Sequence, residues 1–431
     1  YWNRLAGRKI SVIATLALGG VFFAIACSRD YAGRTDEIIA NVQEAYAPDK
    51  RTVLFTASAE NRGGKIIVSG ETSSLPAKRA LFALLDSAGL EVTDSVRLLP
   101  GDDVGMERFA IARLSVCNLR VAPGHSEEMA TQVLLGTPLR ILRDQGSWLQ
   151  VQTPEDYIAW TQGSGLVRMD STRFASWRSR PRLMFTADFG QAFAAPGIKA
   201  TDVVAQGGRE TVASVGDPGA VVSDLVIGDI LALNGEDGDF YRVVFPDGRK
   251  ALVRKDQAMP LTEWMRGLEP SGENILLVAR QMMGAPYLWG GTSSKGVDCS
   301  GFTKTAYFMN GIILPRDASQ QVLAGVPVDI YTDDTVSIST GMVHLRKGDL
   351  IFFTNDPSRR NDEKARITHV GIYIENGEFI HSSGFVHRSS LLDTAANYSQ
   401  WHASTLTRAR RILGSGAGVG LIVHHPLYQE N

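Results

Sequence analysis

The stretch GVDCSGFTK, residues 296–304, sets Cys299 between Asp298 and Ser300 at the head of a short apolar run. Most free cysteines are buried filler, so the surrounding residues must decide whether this one is a nucleophile. A thiol attacks as its thiolate and titrates near ~8.5 when unperturbed; a helix N-terminus and a nearby histidine bring that down to roughly 3.5–7.5. CSGFTKTAYFMNG carries apolar side chains at helical spacing and ends on Gly311. Asp298 or its neighbour is suited to cap that helix. Cys299 is then expected near the first helical position, with a lowered pKa and with free backbone N–H groups able to hold an oxyanion.

Such a nucleophile needs a base within hydrogen-bond reach and a third group to orient the base. Among eight histidines, His369 and His381 stand out. In ITHVGIYI, His369, Gly371 and Tyr373 share one face of a strand and Val370, Ile372 and Ile374 the other. ENGE turns the chain and FIHSSG returns with His381. A two-residue turn at Asn376–Gly377 would pair Ile372 with His381 and put the histidines on opposite faces. A three-residue loop, Glu375–Gly377, with Gly377 left-handed, pairs Gly371 with His381 instead. The histidines are then diagonal neighbours on one face, which is the geometry that catalysis requires.

Several elements must position these residues. ILLVARQMM reads as a helix with Arg280 and Gln281 facing out, and PLTEWMRGLEPSGEN, 260–274, as a linker before it. Two upstream stretches alternate apolar and polar residues between tight turns: TPLRILRDQGSWLQVQTPEDYIAWTQ, and LVIGDILALNGEDGDFYRVVFPDGRKALVRKD. Each reads as a small barrel. Further upstream, the helical spacing of DEIIANVQEAY is followed by strands at TVLFTAS and KIIVSGE around the turn NRGGK. A helix at PAKRALFALLDSAG and a strand at LEVTDSVRLL complete a small α/β module. Arg4, Arg8 and Lys9 precede the apolar stretch ISVIATLALGGVFFAIAC, the pattern of an export signal.

PYLWGG…DCSGF, LPRDASQQ, KGDLIFF and THVGIYI…FIHSSG, in that order, resemble the NlpC family of cell-wall cysteine peptidases over residues 263–431. With two copies resembling bacterial SH3-like domains in front, residues 111–431 are similar to γ-D-glutamyl-L-diamino-acid endopeptidases. The chain is thus expected to be multidomain: an export or lipoprotein signal at 1–27 and a small α/β module loosely resembling the BON domain at 28–110, followed by what the resemblance implies, SH3-like β-barrels at 111–178 and 179–262 and an α+β papain-like catalytic domain at 263–431. The resemblance places the nucleophile on Cys299, the base on His369 and the third polar residue on His381. Tyr287 would stand over the oxyanion, Trp289 would form a pocket wall, and Asp298 and Ser300 would flank the nucleophile, the acid holding the peptide's free amino group. The first barrel would close one end of the cleft with Glu128 and Tyr157, although Glu127 is as good an acid by position. The implied partners are peptides of the type L-Ala-γ-D-Glu-diamino acid. AIACS resembles a lipoprotein box, which would lipidate Cys27 and hold an exported monomer at a membrane of the cell envelope.

The totals agree with this reading. Over 431 residues the net charge is −2 with no long basic block, which argues against nucleic acid as partner. Three cysteines make no disulfide framework, and Cys117 in LSVCNLRV reads as strand core. His387 and His402 have no partner pattern and read as surface residues. No zinc, nucleotide or flavin motif is present, so neither metal nor cofactor is expected. DIYTDDTVSISTGMVH and TNDPSRRNDEKAR, between Cys299 and His369, are solvated loops or lids.

Overall fold

The computed structural model describes residues 26–63, 65–194 and 219–429. They fall into two compact units: residues 26–48 with Leu54–Leu98, and Asp49–Val53 with everything from Leu99 onward. The expected export signal, and the lipidation expected at Cys27, lie outside the residues whose side chains are described. Among the described residues, no helix is long and apolar enough to cross a membrane.

The smaller unit has the expected helix–strand–strand–helix–strand order. Helix Ala26–Tyr46 leads, strands Ser58–Arg62 and Lys65–Thr72 pair antiparallel, and strand Val92–Leu98 runs parallel to the second after helix Leu75–Ser87. Ser74 caps the latter helix by accepting from the Ala77 N–H at 3.1 Å, and its Leu81 and Leu85 are fully buried. Two boundaries differ from expectation. Before Ser58, TVLFTAS makes only an isolated antiparallel bridge, Phe55 to Thr72, and its start is taken up by a turn in which the Thr52 and Val53 N–H groups donate to the Asp49 carbonyl. The unit ends at Leu98 and not near 110, since Phe109–Ala112 is the first strand of the next sheet.

The two barrels share one topology. The first uses strands Phe109–Ala112, Val116–Arg120, Met129–Leu134, Pro138–Gln145, Trp148–Gln152, Ile158–Gln162 and Leu166–Met169. The second uses Arg182–Phe185, Phe189–Phe193, Val221–Val226, Ile230–Asp237, Phe240–Val244, Lys250–Arg254 and Ala258–Pro260. Numbered within its own barrel, each sheet runs in the order 7-1-4-5-6-2-3. Alternation fills both interiors, with Leu119, Leu139, Ile141 and Val151 in the first and Leu183, Phe185, Leu231 and Val253 in the second. Cys117 is buried in the first, as expected, and burial pushes its thiol up to about 11. The barrels meet at Gly136, which has φ +79° and where an added Cβ would stand 2.1 Å from the Ile230 carbonyl oxygen. Beside it, the buried Asp229 carboxylate accepts the N–H groups of Leu135 and Val226 at 3.1 and 2.9 Å.

The stretch expected as a linker is instead packed, since helix Leu261–Arg266 buries Leu261 and Trp264. The last domain sets helices Gly272–Gln281 and Cys299–Phe308 against a six-stranded antiparallel sheet. Its strand order is Val326–Pro327, Leu406–Arg411, Leu350–Thr354, Ile367–Tyr373, Glu378–Ser383, Phe385–Ser390. Phe302 and Ala306 of the cysteine helix pack with Val370, Ile372 and Ile380 of the sheet. The first of the two polar insertions is anchored, because Ile330 and Val336 are buried and the Val336 N–H donates to Asn361 Oδ1 at 2.9 Å.

Candidate active site

Cys299 is the first residue of its helix, and Asp298 is the N-cap, its Oδ1 accepting the Gly301 N–H at 2.7 Å. The glycine at 301 is required, because a Cβ there would lie 1.9 Å from the Gly291 carbonyl oxygen. Cys299 is 8% exposed, and the nearby backbone N–H groups of Val370 and Ser300 favour its thiolate. The cysteine therefore sits against the His369–Val370 peptide of the central strand. Its pKa departs from expectation: burial, and then the nearby Asp298 charge, push the thiol up to about 12 despite the N–H groups that favour thiolate. The helix terminus is present, but desolvation outweighs it.

The histidines adopt the geometry that the three-residue loop demands. Ile372 pairs with Ile380 and Tyr373 with Phe379, and next to them a Cβ on Gly371 would stand 3.3 Å from His381 Cβ. Gly377 is left-handed as expected at φ +76°, and Asn376 is left-handed too, at φ +51°. His369 Nε2 and His381 Nδ1 are 2.8 Å apart, and His381 Nε2 lies 3.0 Å from Ser389 Oγ. With one proton on Nε2 of each ring, His369 donates to His381 and His381 donates to Ser389. This tautomer leaves a lone pair on His369 Nδ1, which makes no hydrogen bond among the described residues.

His402, read from the sequence as a surface residue, belongs to this cluster. Its ring centroid lies 4.6 Å from that of His381 and 5.3 Å from that of His369, and its Nδ1 is 2.7 Å from Ser399 Oγ. His387 is also drawn in, with its ring 4.5 Å from that of His381. Burial lowers all three inner imidazoles, His369 to about 3 and His402 to about 4, and His381 is lowered further by its imidazole neighbours. His369, His381 and His402 each bring a ring nitrogen within 4.8 Å of the others, a spacing that a divalent ion such as zinc could use. His369 Nε2 and His381 Nδ1 of this cluster are hydrogen-bonded to each other.

A cleft of about 370 Å³ opens over Cys299. It brings together Tyr287, Trp289, Asp298 and Ser300 with Glu128 and Tyr157 of the first barrel. Glu128, not Glu127, is the acid that lines it, with Oε1 accepting the Trp289 indole N–H at 2.8 Å. Tyr287 is half-buried, and burial with the charges of Cys299 and Asp298 pushes its phenol up to about 12. The strand that begins just after Glu128 is fixed to the catalytic domain, since the Gln132 side chain and carbonyl accept from Thr292 at 2.9 and 3.0 Å. His369 and His381 stand behind the cleft surface, which Ile367 and Thr368 reach in the same strand.

Sequence reasoning missed three residues at this site. Arg316, 1% exposed, binds both Asp298 oxygens, Ser300 Oγ and Thr131 Oγ1. It saturates the Asp298 carboxylate, whose Oδ2 also accepts the Gly290 N–H at 3.0 Å. Asp317 accepts from the Tyr157 hydroxyl at 3.3 Å and from Arg51 Nη1 at 2.7 Å. The signal for the first two was the adjacent Arg–Asp pair inside LPRDASQQ; nothing in the sequence around Arg51 points to the cleft.

A cysteine at a helix N-terminus that opens on a cleft, with an ordered imidazole pair in the strands against which its helix packs, supplies the parts of a thiol peptidase, although no hydrogen bond joins Cys299 to either ring among the described residues. The NlpC/P60 family matches residues 284–409, and the bacterial dipeptidyl-peptidase Sh3 domain matches residues 119–166. A γ-D-glutamyl-L-lysine dipeptidyl-peptidase of Bacillus cereus is 30% identical over 260 residues, which cover 60% of this chain and 68% of that one. A protein of the same name from Bacillus subtilis is 29% identical over 271 residues, covering 63% and 75%. Among solved structures, an NlpC/P60 family protein from Bacillus cereus aligns with TM-score 0.54 and 25% identity over 71% of this chain and 99% of that chain. The chain belongs to the NlpC/P60 family of cysteine peptidases.

Proposed function

We propose that this protein is an endopeptidase that hydrolyses the γ-D-Glu–diamino-acid bond of peptidoglycan stem peptides bearing a free N-terminal L-Ala. The observation that carries the reading is the shared cleft of Cys299, Glu128 and Tyr157, in which the first barrel bounds the space beside the nucleophile. A carboxylate there, held by Trp289 with its second oxygen left over, suits an ammonium group. The two Bacillus relatives named for γ-D-glutamyl-L-lysine support the bond assignment.

In this mechanism the thiol proton passes to His369 Nδ1 as sulfur attacks the γ-carbonyl carbon. The N–H groups beside Cys299 and the Tyr287 hydroxyl hold the oxyanion, the C–N bond breaks, and the proton on His369 leaves with the amine. Water then hydrolyses the acyl-enzyme. His381 keeps the proton of His369 on Nε2, so that Nδ1 remains the base. Exposure of the wall peptides outside the membrane fits the exported location expected for the chain.

The test is mass-spectrometric, with L-Ala-γ-D-Glu-diaminopimelate and its N-acetylated form as substrates. The reading expects cleavage of the free peptide only, and loss of that cleavage in Cys299→Ala. Equal cleavage of both peptides would point to a lysin acting on intact wall.

A further inference from the structure

Residues 49–53 lie outside both matched family regions, yet they complete the cleft. The Arg51 carbonyl accepts the Ile158 N–H at 2.6 Å, and the Thr52 carbonyl accepts Gln152 Nε2 at 3.1 Å. This segment is therefore fastened to the barrel strands that flank Tyr157. From it the Arg51 side chain lines the cleft and meets the Tyr157 hydroxyl on one shared atom, Asp317 Oδ2.

The guanidinium is locked. Asp49 holds it through Nε to Oδ1 at 2.8 Å and Nη2 to Oδ2 at 2.7 Å, and Gln320 Nε2 in turn donates to that Asp49 Oδ2 at 2.7 Å. Nη1 donates to Asp317 at 2.7 Å and to Ser319 Oγ at 3.0 Å. Fork geometry of this kind is rigid in a way that a lysine could not reproduce.

We propose that Arg51 is a specificity-determining residue that walls the Tyr157 end of the cleft and limits substrates to those whose chain ends there. The inference rests on the functional reading above. A peptide with its scissile carbonyl at Cys299 and its ammonium at Glu128 fits in front of the wall. One more N-terminal residue would have to displace the guanidinium from Asp49 and Asp317. While Arg51 occupies Asp317 Oδ2, Glu128 is left as the acceptor for the amine. The wall thus acts by size and by withholding Asp317.

The experiment compares kcat/KM for L-Ala-γ-D-Glu-diaminopimelate and for the same peptide extended by an N-terminal glycine. Unsubstituted protein, Arg51→Ala and Asp49→Asn are measured together with their melting temperatures. Removing the side chain opens space and frees the Asp317 carboxylate to accept the extended peptide's ammonium. The ratio of extended to unextended peptide is then expected to rise by about tenfold or more in Arg51→Ala, the scale on which single pocket contacts discriminate. A smaller rise is expected in Asp49→Asn, which only loosens the anchor. A merely structural role would lower both rates together, and an unchanged or falling ratio overturns the wall. Failure of the unsubstituted protein to cut the unextended peptide overturns the functional reading first, and the wall with it.

Discussion

Arg316 grips the Asp298 carboxylate with two nitrogens, Nη2 to Oδ2 at 2.6 Å and Nη1 to Oδ1 at 3.2 Å, behind the nucleophile. Through Nε it also holds Thr131 of the first barrel at 2.7 Å. One buried side chain therefore fixes the helix cap, Ser300 and the docking of the barrel that bounds the cleft.

Substituting Arg316 by Met leaves Asp298 buried without a counter-charge. Breaking such a pair by removing one partner costs about 3–5 kcal/mol. The expected outcome is a denaturant midpoint lowered accordingly, together with loss of peptidase activity. Arg316→Lys is expected to recover little, because a point charge cannot reach both oxygens and Thr131. A midpoint within experimental scatter of the unsubstituted protein would refute this assignment.

Gly371 lies opposite His381, and an added Cβ there would meet Phe379 Cδ2 at 2.8 Å and His381 Cβ at 3.3 Å. Gly371→Ala is expected to push the orienting histidine off His369. Overpacking of this kind costs about 1–3 kcal/mol, but the larger effect is expected in kcat, through a mispositioned base. Chemical shifts of the His369 and His381 ring protons are the direct readout; unmoved shifts with unchanged kcat would refute the prediction.

The catalytic pattern was legible because it is local. Cap, nucleophile and helix are consecutive, whereas the histidine register stayed open between a two-residue turn and the loop Glu375–Gly377 that the structure adopts. Glu128 and Tyr157 could be located only through family resemblance, and the choice over Glu127 needed the Trp289 indole to decide it. Arg316, Asp317, Arg51 and His402 act through partners tens to hundreds of residues away, for which a single sequence carries no periodicity. PLTEWMRGLEPSGEN looked like a linker because Pro, Gly and charge surround Trp264, yet that indole finds a hydrophobic seat against Phe308. The raised Cys299 pKa has a related origin: helix position is readable in sequence, but the burial that opposes it depends on the whole fold.

The histidine cluster gives the protein an acid-sensitive core. In the unfolded chain these rings titrate near ~6.5; in the folded protein burial holds His402 down to about 4 and His369 to about 3. Below pH ~6.5 the unfolded state binds more protons, so unfolding free energy rises with pH across this window. Their neutral, packed state is thus fully compatible with folding above the unfolded value, and stability is lost progressively as pH falls from there toward 4 and below. The melting temperature is expected to drop over that range, and His402→Gln to flatten the drop by removing one titrating ring. An identical pH dependence in the variant would exclude His402 as a contributor.

The raised Cys299 pKa predicts a resting site of neutral thiol and neutral imidazole, not a thiolate–imidazolium pair. An unperturbed thiol is roughly 3% thiolate at pH 7; one pushed up to about 12 by burial and the Asp298 charge carries far less. Iodoacetamide labelling of Cys299, followed by peptide mapping, is therefore expected to be at least about tenfold slower at pH 7 than for a free cysteine, since only the thiolate reacts. Its rate should still be climbing at pH 10. Asp298→Asn removes the second contribution to the shift and leaves the Arg316 charge uncompensated, so it should label faster. A labelling rate that levels off near pH 5–6 would instead reveal a preformed ion pair. The proton would then already reside on His369 before substrate arrives, and attack would need no coupled transfer.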